Sequence, residues 1–199
     1  MEKIIFLLEE ESMKIFLENF FPRLFPKLSV QYIFFQGKSD LKKRVQNYIK
    51  NWKEDGEKFL ILLDSDGVDD CKKLKNDMIN LCKNNSRLCK NNSRTNNFLV
   101  RIVCQELESW YLGDVSLLKL RYRTKPNKKI DQKQNKYRNP DNFQKPSQHL
   151  DQILVGFSKR AGARELGAVL DPATNTSKSF QVFVDGVEKL SGLTRQSPT

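Results

Sequence analysis

Three pairs of carboxylates stand behind apolar runs of strand length. Glu9 and Glu10 follow residues 4–8, Asp64 and Asp66 follow residues 59–63, and Glu106 and Glu108 come shortly after residues 98–103. If those runs are neighbouring parallel strands, all six acids lie along the carboxyl edge of one sheet, where such folds place their sites. So many negative charges on one edge repel each other unless a cation sits among them. Oxygen ligands without histidine suit Mg²⁺ or Mn²⁺ better than zinc. Such an ion would polarise a phosphoryl oxygen and lower the pKa of a bound water. An acid after a strand is also an ordinary helix N-cap, and Asp66 or Asp69 could serve the helix that follows. That reading suits one pair more easily than three. Gly67 fits close approach of the backbone to a ligand, since it has no Cβ.

Other chemistries find little footing. The four cysteines, at 71, 82, 89 and 104, contain no Cys-x-x-Cys pair, and His149 is the only histidine. Reduced, partly buried thiols are expected rather than zinc. Ser12 has no histidine to act as its base and reads as a helix N-cap. Gly37-Lys38-Ser39 has the ending of a phosphate-binding loop, but Tyr32 stands where its first glycine belongs. Trp110 and Tyr111 are expected to pack rather than to stack on bases.

The acids need a sheet to hold them, and the chain supplies one. Residues 4–8 and 59–63 are continuous apolar runs, as in strands buried on both faces, and residues 30–35 and 98–103 read as two further strands. Helical spacing separates them: Ile15 to Phe21, Leu41 to Trp52, and Leu74 to Leu81. Strands alternating with helices predict an α/β fold, a parallel sheet of about four strands flanked by helices. The heptapeptide at 81–87 is repeated at once at 88–94, which reads as a tolerated surface duplication. Further on, residues 161–170 form a plausible short helix. Ser177 to Leu190 form a longer one, with Phe180, Phe183, Val184, Val187 and Leu190 on one core-facing stripe and Gly192 as its stop. The expected organisation is a core over residues 1–115, a basic loop and helical extension over 116–193 packed on it, and a frayed tail at 194–199.

Charge points to the partner. The 199 residues carry a net charge of +11, and between Lys119 and Lys145 ten Lys or Arg face only Asp131 and Asp141. Such a concentrated surplus favours a polyanion-facing surface, with Lys125, Lys128 and Lys129 as candidate nucleic-acid contacts. Arg160 and Arg164, with Lys159 beside them, are either solvated or placed to meet phosphate at the mouth of the site. No apolar run approaches a membrane span, and the first is too short for a signal peptide, so a cytoplasmic location is expected.

The glutamate after the first strand and Asp64-Ser65-Asp66 after the third resemble the Toprim domain, the metal-binding α/β domain of topoisomerases, primases and OLD-family nucleases. The strings from Leu8 to Lys14 and from Glu106 to Tyr111 resemble more specifically the DUF 4276 family. That likeness extends through Gly162-Ala163-Arg164 and Ser177 to Phe180, and so over most of the chain. The resemblance implies Glu9 as general acid/base and metal-edge carboxylate, Asp64 and Asp66 as Mg²⁺ ligands, and Glu106 and Glu108 as the source of a further ligand. Glu10 stands where Toprim domains typically have glycine, and no topoisomerase tyrosine can be assigned, so phosphodiester hydrolysis is implied rather than strand transfer. Small Toprim proteins of this kind resemble phage-defence effectors that work beside an ATPase, which implies an ATPase partner. A Mg²⁺-dependent nuclease acting on DNA or RNA is therefore the expectation. Its rivals are a non-catalytic nucleic-acid- or partner-binding subunit with a structural cation, and a small-nucleotide enzyme using the same edge.

Overall fold

A computed structural model describes residues 3–52, 57–67, 70–83, 97–131 and 133–196. Four strands, β1 (Lys3–Leu8), β2 (Ser29–Phe34), β3 (Lys58–Asp64) and β4 (Phe98–Val103), form an all-parallel sheet in the order β2-β1-β3-β4. Helices α1 (Glu11–Leu24), α2 (Lys38–Asn51) and α3 (Cys71–Lys83) come between them in the chain. The expected α/β architecture is thus the observed one. The chain leaves β1 toward β2 on one side and returns to β3 on the other, so the carboxyl ends of β1 and β3 flank the point where strand order reverses.

Alternation along the strands divides the core in two. Ile4, Phe6, Leu8, Leu60 and Leu62 belong to the cluster shared with α1 and the C-terminal helices. Ile5, Leu7, Phe59, Ile61 and Leu63 belong to the cluster formed with Leu41, Val45 and Ile49 of α2 and Leu74 and Met78 of α3. Both faces of the central strands are covered, which explains why they read as unbroken apolar runs.

After β4 come α4 (Glu108–Leu112), α5 (Val115–Arg121), α6 (Asn135–Arg138), a 3-10 turn (Pro140–Asn142), α7 (Pro146–Ile153), α8 (Lys159–Gly167) and α9 (Lys178–Ser191). The basic stretch is therefore short helices joined by loops. The α9 stripe is core, as its spacing predicts: Phe180, Phe183, Val184 and Val187 are fully buried. Ser177 caps the helix by accepting from the Phe180 N–H, and Gly192 ends it at φ +73°. Trp110 packs against Phe180 and Phe183, at centroid distances of 4.9 and 5.0 Å, and its indole N–H donates to Ser179 Oγ at 2.9 Å. The extension thereby supplies one wall of the sheet's core. No helix among the described residues is long and apolar enough to cross a membrane.

Several local expectations shift. Ser12 is not the cap of α1: the helix starts at Glu11, Glu10 holds the N-cap position, and the Ser12 hydroxyl donates to the Glu10 carboxylate. Acids in the first turn complement the helix dipole, so no serine cap is needed there. Asp70 starts α3, accepting from the Lys73 N–H at 2.8 Å, which leaves Asp66 out of the helix; Asp69 lies outside the described residues. The α8 helix begins at Lys159, earlier than expected, because Ser158 caps it through the Ala161 N–H. The tail is anchored at least to residue 196: Arg195 pairs with Glu188 and Asp185, and the Gln196 N–H donates to the Leu24 carbonyl. The second heptapeptide copy, 88–94, and the end of the first lie outside the described residues.

Helices α1 and α8 pack so closely that a Cβ at Gly167 would stand 2.6 Å from the Phe16 carbonyl oxygen. Gly167→Ala must push the two backbones apart and is expected to lower stability by about 1–3 kcal/mol, read from the urea midpoint. An unchanged midpoint would show that the contact gives way freely.

Candidate metal centre

The backbone brings the first two acids together before any side chain is considered. Leu8 pairs with Leu62, and the Glu9 N–H continues the ladder to the Leu62 carbonyl at 3.1 Å. Glu9 and Asp64 therefore lie side by side at the strand ends. Glu9 Oε2 accepts the Asp64 backbone N–H at 3.0 Å. Both are buried, with relative exposures of 7% and 3%.

Beyond β3 the chain turns sharply. Asp66 sits at φ +50° and Gly67 at φ +77°, and Gln105, just after β4, is at φ +67°. Left-handed conformations at two residues with side chains are uncommon and gather at functional sites. The turns are tied together: Ser65 N–H donates to the Val103 carbonyl, Asp66 N–H to the Gln105 carbonyl, and Gln105 N–H to Ser65 Oγ at 2.7 Å. Asp64 is thus held from both sides.

Glu108 enters from the first turn of α4 and is fully buried. Asp64 Oδ1 and both carboxylate oxygens of Glu108 have no hydrogen-bond partner, and neither does the buried Tyr111 hydroxyl. Buried polar atoms are seldom left so, because each forfeits its hydration. A bound cation would satisfy the orphaned oxygens, so the donor set fits a hard divalent ion. Among the described residues no three His, Cys, Asp or Glu side chains form a ready-made cage. Mg²⁺ suits such an open arrangement, because it is commonly held by one or two carboxylates with water and substrate oxygens completing its shell.

The five predicted carboxylates do not all serve alike. Asp66 is about half exposed and pairs with Lys38 at 2.7 Å. Glu106 Oε2 accepts the Ser147 N–H at 2.9 Å, in the first turn of α7, so it is spent on a helix distant in the chain rather than on the helix that follows it. Asp64, Glu108 and Glu9 are the buried set. The Glu10 charge acts on Asp64 and Glu108, and the Lys159 ammonium stands 3.8 Å from the Glu10 carboxylate. Sequence reasoning paired Glu10 with Glu9 but gave it no role, and left Lys159 between solvent and the mouth of the site. It took Tyr111 for packing alone. Position after β1 was the signal for Glu10; no local pattern could choose between the two readings of Lys159, which arrives on α8.

Electrostatics follow from this crowding. Burial, then the charges of Glu9, Glu10 and Glu108, hold the Asp64 carboxyl well above the ordinary range. Burial raises Glu9 too, against the lowering effects of Lys38 and the Asp64 N–H. Burial pushes Glu108 up to about 7, although Lys159 pulls it down. Burial and the same carboxylates keep the Tyr111 hydroxyl protonated. Burial disfavours the Lys159 ammonium, but Glu108, Glu10, Asp64 and Glu106 outweigh it and leave its pKa raised.

The predicted cations lie elsewhere on the surface. Arg160 pairs with Glu11, and Arg164 is exposed on α8. Lys125 donates to the Asp151 carbonyl at 2.6 Å. Lys128 and Lys129 are exposed and line a surface cavity of about 600 Å³ with Lys119 and Arg123.

The family described as "Domain of unknown function (DUF4276)" matches residues 8–188, a span that includes every carboxylate above. The chain belongs to that family. No curated protein and no solved structure matches it. The DUF4276 match begins at Leu8 and ends at Glu188 in α9, so it joins the sheet edge to the helices that enclose it.

Three carboxyls with raised pKa values make stability depend on pH with a definite sign. The folded protein binds their protons more tightly than the unfolded chain does, so stability is highest at low carboxyl charge. It falls as pH rises from the ordinary glutamate value of 4.5 through about 7. Below pH 6.5 the half-buried His149, held down to about 4, acts in the opposite sense, so without divalent cations the urea midpoint is expected to be higher at pH 6.5 than at pH 8. Glu108→Gln should remove much of that slope and exceed wild type at pH 8 by on the order of 1–3 kcal/mol. A wild-type profile that is flat or rises over this interval would contradict the assigned charges.

Proposed function

We propose that this DUF4276 chain is a Toprim-like, divalent-cation-dependent nuclease that hydrolyses phosphodiester bonds of DNA or RNA. The observation that carries the reading is the set of orphaned oxygens of Asp64 and Glu108, buried at the topological switch point of a parallel sheet. Asp64 and Glu108 would hold Mg²⁺ or Mn²⁺, with Asp66 and Glu106 close enough to act on them electrostatically. The ion would supply Lewis-acid polarisation of a phosphoryl oxygen.

The chain's own residues do the rest. Glu9 Oε2 fixes the Asp64 backbone, and Glu9 Oε1 is the atom that would take up or give back a proton. Its pKa, raised by burial, moves it toward neutral pH, where general acid–base catalysis is effective. Lys159 offsets part of the acidic charge before substrate arrives and presents an ammonium to an incoming phosphate. The exposed Lys128 and Lys129, with Lys125, supply a sequence-independent hold on the backbone. An ATPase partner, in a bacterial anti-phage system in the cytoplasm, belongs to the same proposal.

A second reading has its own support: Glu106 caps α7 and Asp66 is paired with Lys38, as in a cation site that only stabilises the fold of a binding subunit. A cleavage assay on single- and double-stranded DNA and on tRNA, with Mg²⁺, Mn²⁺ or chelator and with or without a co-encoded ATPase, separates the two. Nuclease activity should vanish with chelator and in Asp64→Ala. Glu9→Gln should keep the fold and lose about 100-fold or more in rate. Equal activity of wild type and Asp64→Ala on all substrates would leave the binding subunit in its place.

The basic stretch has a separate test. Affinity for a labelled oligonucleotide in Ca²⁺ should fall steeply with salt, and neutralising Lys125, Lys128 and Lys129 together should reduce the slope of log affinity against log salt by about 2–3. An unchanged slope would mark those charges as merely solvated.

A further inference from the structure

Two thiols from distant parts of the chain meet beside the turn that carries Asp64. Cys71 is the first residue of α3 and Cys104 directly follows β4, and their sulfur atoms are 3.8 Å apart. Both are partly accessible, whereas Cys82 is fully buried. They line a cavity of about 240 Å³ that also receives Lys72, Lys75, Arg101 and Lys178. One carboxylate, Asp141, lines it too, but its oxygens accept hydrogen bonds from Ser177 and Ser179. Thiols at disulfide-forming range, in a cationic recess wide enough for a small molecule, make a more specific arrangement than a buried structural cysteine needs.

We propose that Cys71 and Cys104 are a thiol–disulfide exchange site, oxidised to an intramolecular disulfide by small anionic disulfides that the cationic recess admits. Cys71, the partly accessible first residue of α3, loses its proton and its sulfur attacks one sulfur of the oxidant, releasing the first thiolate. Cys104, whose thiol burial and the Asp141 charge push up to about 12, gives up its proton only as it attacks the Cys71 sulfur of the mixed disulfide, and the second thiolate leaves with that proton. Two protein thiols and one disulfide become one protein disulfide and two small thiols, so electrons and protons balance. Closure moves the sulfurs from 3.8 Å to bonding distance and fastens the first turn of α3 to the segment after β4. The two fastened ends bracket the turn from Asp64 to Gly67, which Gln105 already holds through Ser65 and Asp66. The inference stands whether or not the chain cleaves nucleic acid.

The test uses the full chain in a Cys89→Ser background with oxidised glutathione as probe, followed by mass spectrometry after alkylation under denaturing conditions. The expected product has lost two alkylatable thiols without gaining glutathione, is restored by dithiothreitol, and yields a peptide pair joining Cys71 to Cys104. Cys104→Ser should stop as a glutathione adduct on Cys71. Lys72→Gln with Lys178→Gln, two exposed positions, should slow oxidation by glutathione disulfide roughly 3-fold or more, but not oxidation by neutral hydroxyethyl disulfide. Wild type that stays reduced, or that stops as a mixed disulfide, overturns the exchange site. Equal slowing with both oxidants overturns the role of the cationic recess.

Discussion

Asp64 is a carboxyl group buried at the carboxyl end of a central strand, and the surrounding structure is arranged around that constraint. It cannot turn to solvent, because β3 is a central strand and both sheet faces are covered. Its backbone is pinned by Glu9 and its following residues by the segment after β4. A second unpartnered carboxylate, Glu108, is brought in by α4, whose Trp110 is locked under α9. A hydrophobic core would be more stable without any of these acids. Their burial is a cost that a bound cation would offset on the proposed reading.

The helices after β4 follow from the same arrangement. A sheet edge alone would leave the carboxylates in water, at high dielectric and with ordinary pKa values. The α8 and α9 helices close one face over them, and the contact of α8 with α1 is tight enough to require glycine at 167. This enclosure produces both the raised pKa values and the position of Lys159. The basic stretch between α5 and α7 is held to the same body by the pairing of residues 123–125 with 153–155, and Glu106 caps α7 from the sheet edge. The acidic edge and the cationic surface are therefore parts of one hydrophobic assembly.

Much of this was legible in the chain. The four strand-length segments became the four strands; the two central ones, β1 and β3, are continuously apolar because both their faces are buried. The α9 stripe became core, because helical spacing puts those side chains on one face. The alignment of Glu9 with Asp64 also follows from pattern, since both stand at the carboxyl ends of strands of one parallel sheet. Helix starts were read less well. Ser12, Asp66 and Ala161 were displaced by Glu10, Asp70 and Lys159, because several neighbouring residues could each satisfy the same amide groups.

The residue types, the strand ends they follow and the sheet those strands build were determined by sequence alone, since each depends on patterns within a few residues. Which acids are buried, which are spent on a cap or an ion pair, and which cation stands among them was decided only by the tertiary structure. Glu106 and Glu108 are two residues apart, yet one caps α7 and the other is sealed without a hydrogen-bond partner. Lys159 lies some fifty residues beyond Glu108 in the chain, and Cys71 and Cys104 are separated by a strand and most of a helix. Charge and burial act through space, so their outcome is set by packing that no local pattern records.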